Sequence, residues 1–362
     1  MSFSLGIIGL PNVGKSTLFN ALSTARANVS NYPFCTIDPN VAVVAVPDER
    51  LEKVQAFMKS PKAIPITIEF FDIAGLVKGA HKGEGLGNKF LSHIRNVDAL
   101  VHVVRCFKDE NITHVDGSLD PKRDIEVINL ELVMADLSTV EKRLEKAKTA
   151  SKSQDKKTLK QVEQLEIIKS ELEKGVSLRN APPAVKEALL EIPDLNVLTT
   201  KPILYVANVA EDGSEAQYNI VKEIAAKENA LAISISSKIE AEIMELPAAE
   251  RQEFLKDAGV KENGLAKLIH AGYQLLNLIT FFTANQKECR AWTVPAATAV
   301  PAAAGKIHSD MERGFIAADV IHYADVAAYQ TQSACREKGK IHTEGKNYQV
   351  QDGDLIYVKF GR

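Results

Sequence analysis

Short runs of consecutive apolar residues alternate along this chain with longer stretches whose apolar positions recur every three or four residues. The runs at 3–8, 67–73, 99–104, 202–207 and 231–235 predict five strands, and the chain from Lys15 onward predicts a helix. Strands alternating with helices predict an α/β fold, a mostly parallel sheet wrapped by helices. The period changes after the third run. Nearly a hundred residues separate Val104 from Pro202, where a crossover needs only about a dozen. Within them Leu130, Val133, Leu137, Val140, Leu144 and Ala147 follow a 3,4,3,4,3 spacing, and Leu165, Ile168 and Leu172 carry a second seam. This pattern predicts an antiparallel helical coiled-coil hairpin, inserted at 125–198 into a domain spanning 1–277. Past Leu278 the alternation returns at 280–283, 290–294 and 355–360, with a helical stretch at 299–311. A separate small α+β domain over 278–362 is expected.

Composition adds limits rather than a function. Of 362 residues, 45% are hydrophobic and 25% charged, which supplies apolar material for real cores. A net charge of −3 excludes a wholesale polycation, so a nucleic-acid contact needs a local patch, and DNA is not an expected partner. One patch is visible: residues 141–160 hold eight Lys/Arg against three Asp/Glu. It is either a solvated helix face or a polyanion-binding tip. Cys35, Cys106, Cys289 and Cys335 are scattered without a C-x-x-C pair, which argues against a zinc ribbon or a disulfide framework and fits a reducing cytoplasm. The longest uncharged stretch, 291–305, contains Pro295 and Pro301 and is too short to span a bilayer. The first apolar run passes straight into a glycine loop, unlike a signal peptide, so a soluble cytoplasmic protein is expected.

That loop carries the chemistry. Gly9-Leu-Pro-Asn-Val-Gly14-Lys15-Ser16 matches G-x-x-x-x-G-K-[ST] and is followed by Thr17. Glycines let backbone N–H groups curl around phosphates, and the following helix N-terminus adds positive potential. Lys15 would reach the β- and γ-phosphate oxygens, and Ser16 would offer its hydroxyl to Mg²⁺. Asp72-Ile-Ala-Gly75 ends the second predicted strand, 57 residues after Lys15. There Asp72 can hold Mg²⁺ through water, and the Gly75 N–H can meet a γ-phosphate. Between them, Asn31-Tyr-Pro-Phe-Cys-Thr36 can bring the Thr36 hydroxyl to the same metal. The stretch from Gly75 to Gly87 carries five glycines, both ends included, which predicts a segment that nucleotide would order.

With these motifs the chain resembles the translation-factor-related GTPases, and within them the YchF/Obg-like ATPase family. The resemblance covers the whole chain and includes Asn-Tyr-Pro-Phe-Cys-Thr-Ile, Asp-Ile-Ala-Gly-Leu-Val-Lys-Gly-Ala and Gly-Glu-Gly-Leu-Gly-Asn. It implies an Obg-type P-loop G domain, a helical hairpin and a β-grasp TGS domain, in that order. It also implies a slow ATPase that regulates translation or a stress response on the large ribosomal subunit and its RNA. The TGS likeness alone suggests RNA for the C-terminal region, whose ten Lys/Arg and nine Asp/Glu give no such reason. Trp292 there is expected to anchor the core.

Guanine-specific members carry Asn-Lys-x-Asp where this chain has Asn208-Val209-Ala210-Glu211. Glu211 is one methylene too long for the guanine edge, Val209 offers only a short apolar wall, and the Asn208 amide can pair a purine in either flip. ATP is therefore expected over GTP. Ser236-Ser237-Lys238 falls where relatives close over the base with backbone amides. Leu76 replaces the glutamine that orients water in many relatives, so turnover should be slow, with His114 as the group the family comparison suggests. Asn12 corresponds to a residue that holds K⁺ in related GTPases, or it merely shapes the loop. The competing readings are a GTPase of the same fold and a non-catalytic nucleotide sensor that binds protein partners.

Overall fold

The hydrophobic runs do become strands, and their burial explains where each lies. The computed structural model describes residues 3–26, 40–73, 94–109, 114, 117–150, 155–211, 214–257 and 263–361. The strands are β1 (Phe3–Ile8), β2 (Val41–Ala45), β3 (Ala63–Ile64), β4 (Thr67–Asp72), β5 (Ala99–Arg105), β6 (Ile203–Asn208), β7 (Leu231–Ile235), β8 (Leu278–Ala284), β9 (Cys289–Pro295), β10 (Phe315–Ile321), β11 (His342–Glu344) and β12 (Leu355–Phe360). The helices are α1 (Lys15–Arg26), α2 (Glu49–Met58), α3 (Pro121–Ala150), α4 (Lys156–Glu173), α5 (Pro183–Leu190), α6 (Glu215–Lys227), α7 (Ser237–Glu245), α8 (Ala248–Asp257), α9 (Gly264–Leu275), α10 (Val300–Ile307), α11 (Ser309–Arg313), α12 (Tyr323–Tyr329) and α13 (Gln332–Glu337). Among them no helix is long and apolar enough to cross a membrane.

The chain divides into two compact units. The first, Phe3–Val44 with Glu69–Gly272, contains a six-stranded sheet ordered β2-β4-β1-β5-β6-β7. Strands β1, β5, β6 and β7 run parallel, with Leu5 opposite Ala99, Leu100 opposite Ile203 and Leu204 opposite Leu231. Every residue of β5 and β6 is buried, as expected for the middle of a sheet covered on both faces. Because the strands are parallel, their C-terminal ends share one edge, and there the loops after β1, β6 and β7 meet.

The inserted helices depart from a two-helix coiled coil. Val133, Val140, Leu144 and Ala147 of α3 are buried with Leu165, Ile168 and Leu172 of α4, as their spacing predicts. Leu130, expected in the same seam, is 54% exposed. The core also takes in Leu178 from the 3₁₀ turn Leu178–Asn180, Val185 and Ala188 from α5, and Ile192 just after it, so three helices share it. Asp136, fully buried, accepts hydrogen bonds from the Leu198 N–H, the Thr199 N–H and the Thr199 hydroxyl, which pins the returning chain to α3. The basic tip is partly neutralised: Lys148 pairs with Glu166, Lys160 with Glu191 and Arg143 with Asp194. Residues 151–154 lie outside the described residues.

The second unit joins Ala45–Ile68 to Tyr273–Arg362. A boundary at Leu278 therefore misses a piece from far upstream. The unit's sheet is ordered β11-β10-β12-β8-β9-β3, with β3 paired in parallel to β9 through Ala63 and Cys289. Leu51, Val54 and Phe57 of α2 pack on one face with Phe282, Cys289 and Leu355, while α10 covers the other with Phe281 and Val294. Arg50 forks between Asp48 and Asp352, tying the early segment to the late one. Trp292 packs into the second core and donates to the Thr283 hydroxyl at 2.8 Å, as an anchor should. Strands β10 and β11 and helices α12 and α13 were not expected from the pattern, and the helical stretch at 299–311 breaks at His308 into α10 and α11.

Candidate functional site

The turn after β1 folds as it does because two of its glycines have no alternative. Gly9 has φ 151, and a Cβ there would lie 2.5 Å from the Val103 carbonyl oxygen. Gly14 has φ 96, and its Cβ would lie 2.1 Å from Asn208 Nδ2. Neither conformation nor space admits a side chain. Asn12 also takes a left-handed backbone, φ 61, so it does shape the loop.

Asn208, at the end of β6 and 4% exposed, holds this loop from the other side. Its Nδ2 donates to the Val13 carbonyl at 2.8 Å, and its Oδ1 accepts from the Ser237 N–H at 2.9 Å. This corrects the expectation that the amide could present either flip to a base. Two backbone partners of opposite polarity select one orientation. Arg105, buried at the end of β5, donates to the carbonyls of Phe107, Asn12 and Asp109, with its guanidinium over the Phe107 ring.

These loops enclose a cleft of about 790 Å³, within the range typical of small-molecule sites. Asn12, Gly14, Lys15, Ser16, Thr17, Asn208, Val209, Glu211 and Ser236 all line it. The structure thus brings together the phosphate-loop and base-end residues singled out from the sequence. Val13 is buried beside the cleft and contributes its carbonyl to Asn208. Ser237 and Lys238, which fall with Ser236 where relatives close over the base, line the cleft too, and the sequence reading overlooked three more lining residues with polar or aromatic character: Phe107, Lys108 and Asp109. Ser237 is 1% exposed, and its hydroxyl has no hydrogen-bond partner among the described residues. No sequence pattern marks Phe107, Lys108 and Asp109; only their place after a central strand could have.

The electrostatics suit an anion. Lys15 Nζ donates to the Leu10 carbonyl at 2.7 Å inside the loop. Burial lowers its pKa to about 8, partly offset by the Asp72 carboxylate. Burial likewise pushes Asp72 up, and Lys15 offsets that in turn. A cation held largely away from water gains most when a polyanion arrives. The Ser16 hydroxyl and the Asp72 carboxylate are hard oxygen donors that fit Mg²⁺.

His114 stands apart. It is neither solvated nor among the described residues lining the cleft: its Nε2 lies 2.9 Å from Asp124 Oδ2, in the first turn of α3. Thr36, Gly75, Leu76 and the glycine stretch after them lie outside the described residues.

Comparison with known proteins agrees with this arrangement. The profile of a family described as "50S ribosome-binding GTPase" matches residues 4–135, and the YchF-GTPase_C profile, described as a protein of unknown function, matches 278–361. The chain is 51% identical to "Ribosome-binding ATPase YchF" of Bacillus subtilis, covering 99% of this chain and all of the relative. It is 48% identical to the protein of the same name in Escherichia coli O157:H7, over 99% of each. Among solved structures, that of the Schizosaccharomyces pombe YchF GTPase superposes with a TM-score of 0.86 at 38% identity, covering 99% of this chain and 98% of the other. Its P-loop α/β architecture and inserted helices are thus those of its relatives, and the chain belongs to the YchF family.

Proposed function

We propose that this protein binds ATP in preference to GTP, hydrolyses it slowly to ADP and phosphate, and associates with the large ribosomal subunit as a nucleotide-dependent regulator of translation or stress response in the cytoplasm. One observation carries the reading. The phosphate-binding loop and the residues that replace a guanine lock line the same cleft. In it, Asn12 through Thr17 hold the phosphates, Lys15 supplies the cation, and Phe107 and Val209 offer apolar surface to a base. Glu211 and Ser236 border the base, while Asn208 works through the loop it braces.

Ser16 and Asp72, with Thr36 by motif, would hold Mg²⁺, which when bound neutralises charge on the β- and γ-phosphates. Asn12 lines the cleft, and its side-chain oxygen suits K⁺ as well. Gly75 would meet the γ-phosphate. Leu76 offers no polar group to water, and His114 is tied to Asp124, so slow turnover follows. Relatives carry both ATPase and GTPase in their names, so specificity must be argued from the pocket itself.

Replacing Glu211→Asp together with Val209→Lys should shift the ATP/GTP affinity ratio toward GTP by about tenfold, since it rebuilds a charge-assisted guanine contact. Calorimetric titration of both nucleotides checks this. An unmoved ratio places base reading elsewhere in the cleft. Phosphate release measured with and without ribosomes separates an ATPase from a non-catalytic sensor, which would release none.

If the basic tip meets ribosomal RNA, binding must weaken with salt through counterion release. Replacing Lys152, Lys156 and Lys157 with Gln should shallow the log–log salt slope by up to about 2–3 units, at roughly 0.7–0.9 for each phosphate left unneutralised. Lys160 is omitted because Glu191 already holds it. Ribosome sedimentation across a KCl series decides it; an unchanged slope would leave the helices as a spacer.

A further inference from the structure

Lys238 is the second residue of α7, where the helix dipole disfavours a cation. It is nevertheless surrounded by carboxylates. Its Nζ lies 2.9 Å from Glu211 Oε1 and 4.0 Å from Glu242 Oε1. Glu211, then Glu242 and Asp109, raise its pKa. Lys238 and Glu211 both line the cleft, together with Phe107 and Val209. Both are largely exposed, with side-chain exposures of 71% and 62%. Such a pair adds little to folding. Its consequence is for what enters the cleft, because a base that excludes water strengthens every charge interaction there.

A guanine presents two donors on its Watson–Crick edge, N1–H and the 2-amino group, and needs a free acceptor to meet them. Adenine presents an acceptor at N1 and lacks the 2-amino group. A carboxylate in the Glu211 position favours guanine only while its oxygens are available. An ammonium bonded to it takes up that acceptor and adds N–H donors beside it.

We propose that Lys238 is a specificity-determining residue, which by engaging Glu211 inverts the hydrogen-bonding polarity of the base edge from guanine-accepting to adenine-donating. The inference rests on the reading that this cleft binds ATP, and assigns the preference to an ion pair rather than to the length of Glu211 alone. It also explains how a glutamate can sit at this position without recruiting guanine. Arg in place of Lys238 would preserve the effect, and an apolar residue would not.

Competition of ATP, GTP and inosine triphosphate against a fluorescent ATP analogue, on the full-length protein with Mg²⁺, tests it. Lys238→Met should lower the ATP/GTP preference about tenfold, as expected for one charge-assisted contact. GTP should gain more than inosine triphosphate, which lacks the 2-amino donor. Lys238→Arg should keep the wild-type ratio, and adding Glu211→Gln to Lys238→Met should remove the GTP gain. Inorganic tripolyphosphate, which has no base, should compete equally with every variant and so report that the phosphate loop is folded. An unchanged ATP/GTP ratio in Lys238→Met overturns the proposal. So does a parallel loss of tripolyphosphate affinity, which would put the ammonium at the phosphates. A wild-type protein without ATP preference would instead sink the reading of the cleft as an ATP site; a preference that survives Lys238→Met sinks only the role of Lys238.

Discussion

Lys15→Ala should lower ATP affinity at least about a hundredfold, because charge-assisted contacts to a polyphosphate are worth about 1.5–3 kcal/mol each and this lysine would make more than one. The residue is 7% exposed and its ammonium is already held in the loop by the Leu10 carbonyl, so little ordering is needed when phosphate arrives. Its titration gives a second readout. Without nucleotide, burial holds the ammonium pKa at about 8, with Asp72 opposing. A bound polyphosphate favours the charged form, so ATP binding should take up a proton above that pH. Affinity should hold steady below pH 8 and fall by up to about tenfold per unit above it. Calorimetry at pH 8.5 in buffers of different ionisation heat measures the uptake, which should vanish in Lys15→Ala. Folding carries the opposite sign. The depressed pKa penalises the charged form of the native state, so nucleotide-free stability should rise as pH climbs from about 8 to the ordinary value of 10.5. ATP binding as tight in Lys15→Ala as in the natural chain would end the phosphate-loop assignment.

Asn208→Ala should cost about 2–4 kcal/mol of stability, since it leaves the Val13 carbonyl and the Ser237 N–H buried without partners and opens a small cavity. Both bonds are short, 2.8 and 2.9 Å, and the residue is nearly fully buried. The loss should appear as a lower denaturant midpoint with an unchanged slope. ATP affinity should fall with it, about tenfold or more, because the phosphate loop loses its brace. Asn208→Asp separates the two bonds. Its carboxylate still accepts from Ser237 but sets a charged acceptor against the Val13 carbonyl, so its stability should fall at least as far as that of the alanine variant. Full stability in Asn208→Ala would mean that the loop holds its shape from its own glycines.

Much of the architecture is written locally. The strand Phe3–Ile8 ends where its apolar run ends, because a buried strand needs side chains that favour burial, and Leu231–Ile235 and Leu355–Phe360 keep the bounds their patterns set although they are only partly buried. Seven-residue spacing likewise marks Val133, Val140, Leu144 and Ala147 as one face. The same rule fails at Leu130, since spacing says which residues share a stripe but not how far the partner helices reach along it. It also passes over α5, which is too short to show a period and joins the insert's core only by packing. The β3 strand is two residues long, and nothing in Ala63–Ile64 announces its partner in β9. A boundary drawn from sequence therefore makes that unit too small.

The site divides in the same way. The phosphate loop is legible because its chemistry is carried by consecutive residues, and a contiguous motif needs no fold to be read. From sequence alone come Lys15, Ser16 and the two glycines, and with them the strand–loop–helix that the structure contains. The base end is less legible. Asn208, Glu211, Ser237 and Lys238 come from two loops after different strands, and their meaning depends on who bonds to whom. Only the parallel sheet brings those loops to one edge, and only there does Asn208 turn to the backbone, Arg105 fasten Phe107, and Lys238 take hold of Glu211. A local sequence specifies backbone conformation through sterics and burial. Pairings between distant side chains depend on distances that exist only once the sheet has formed.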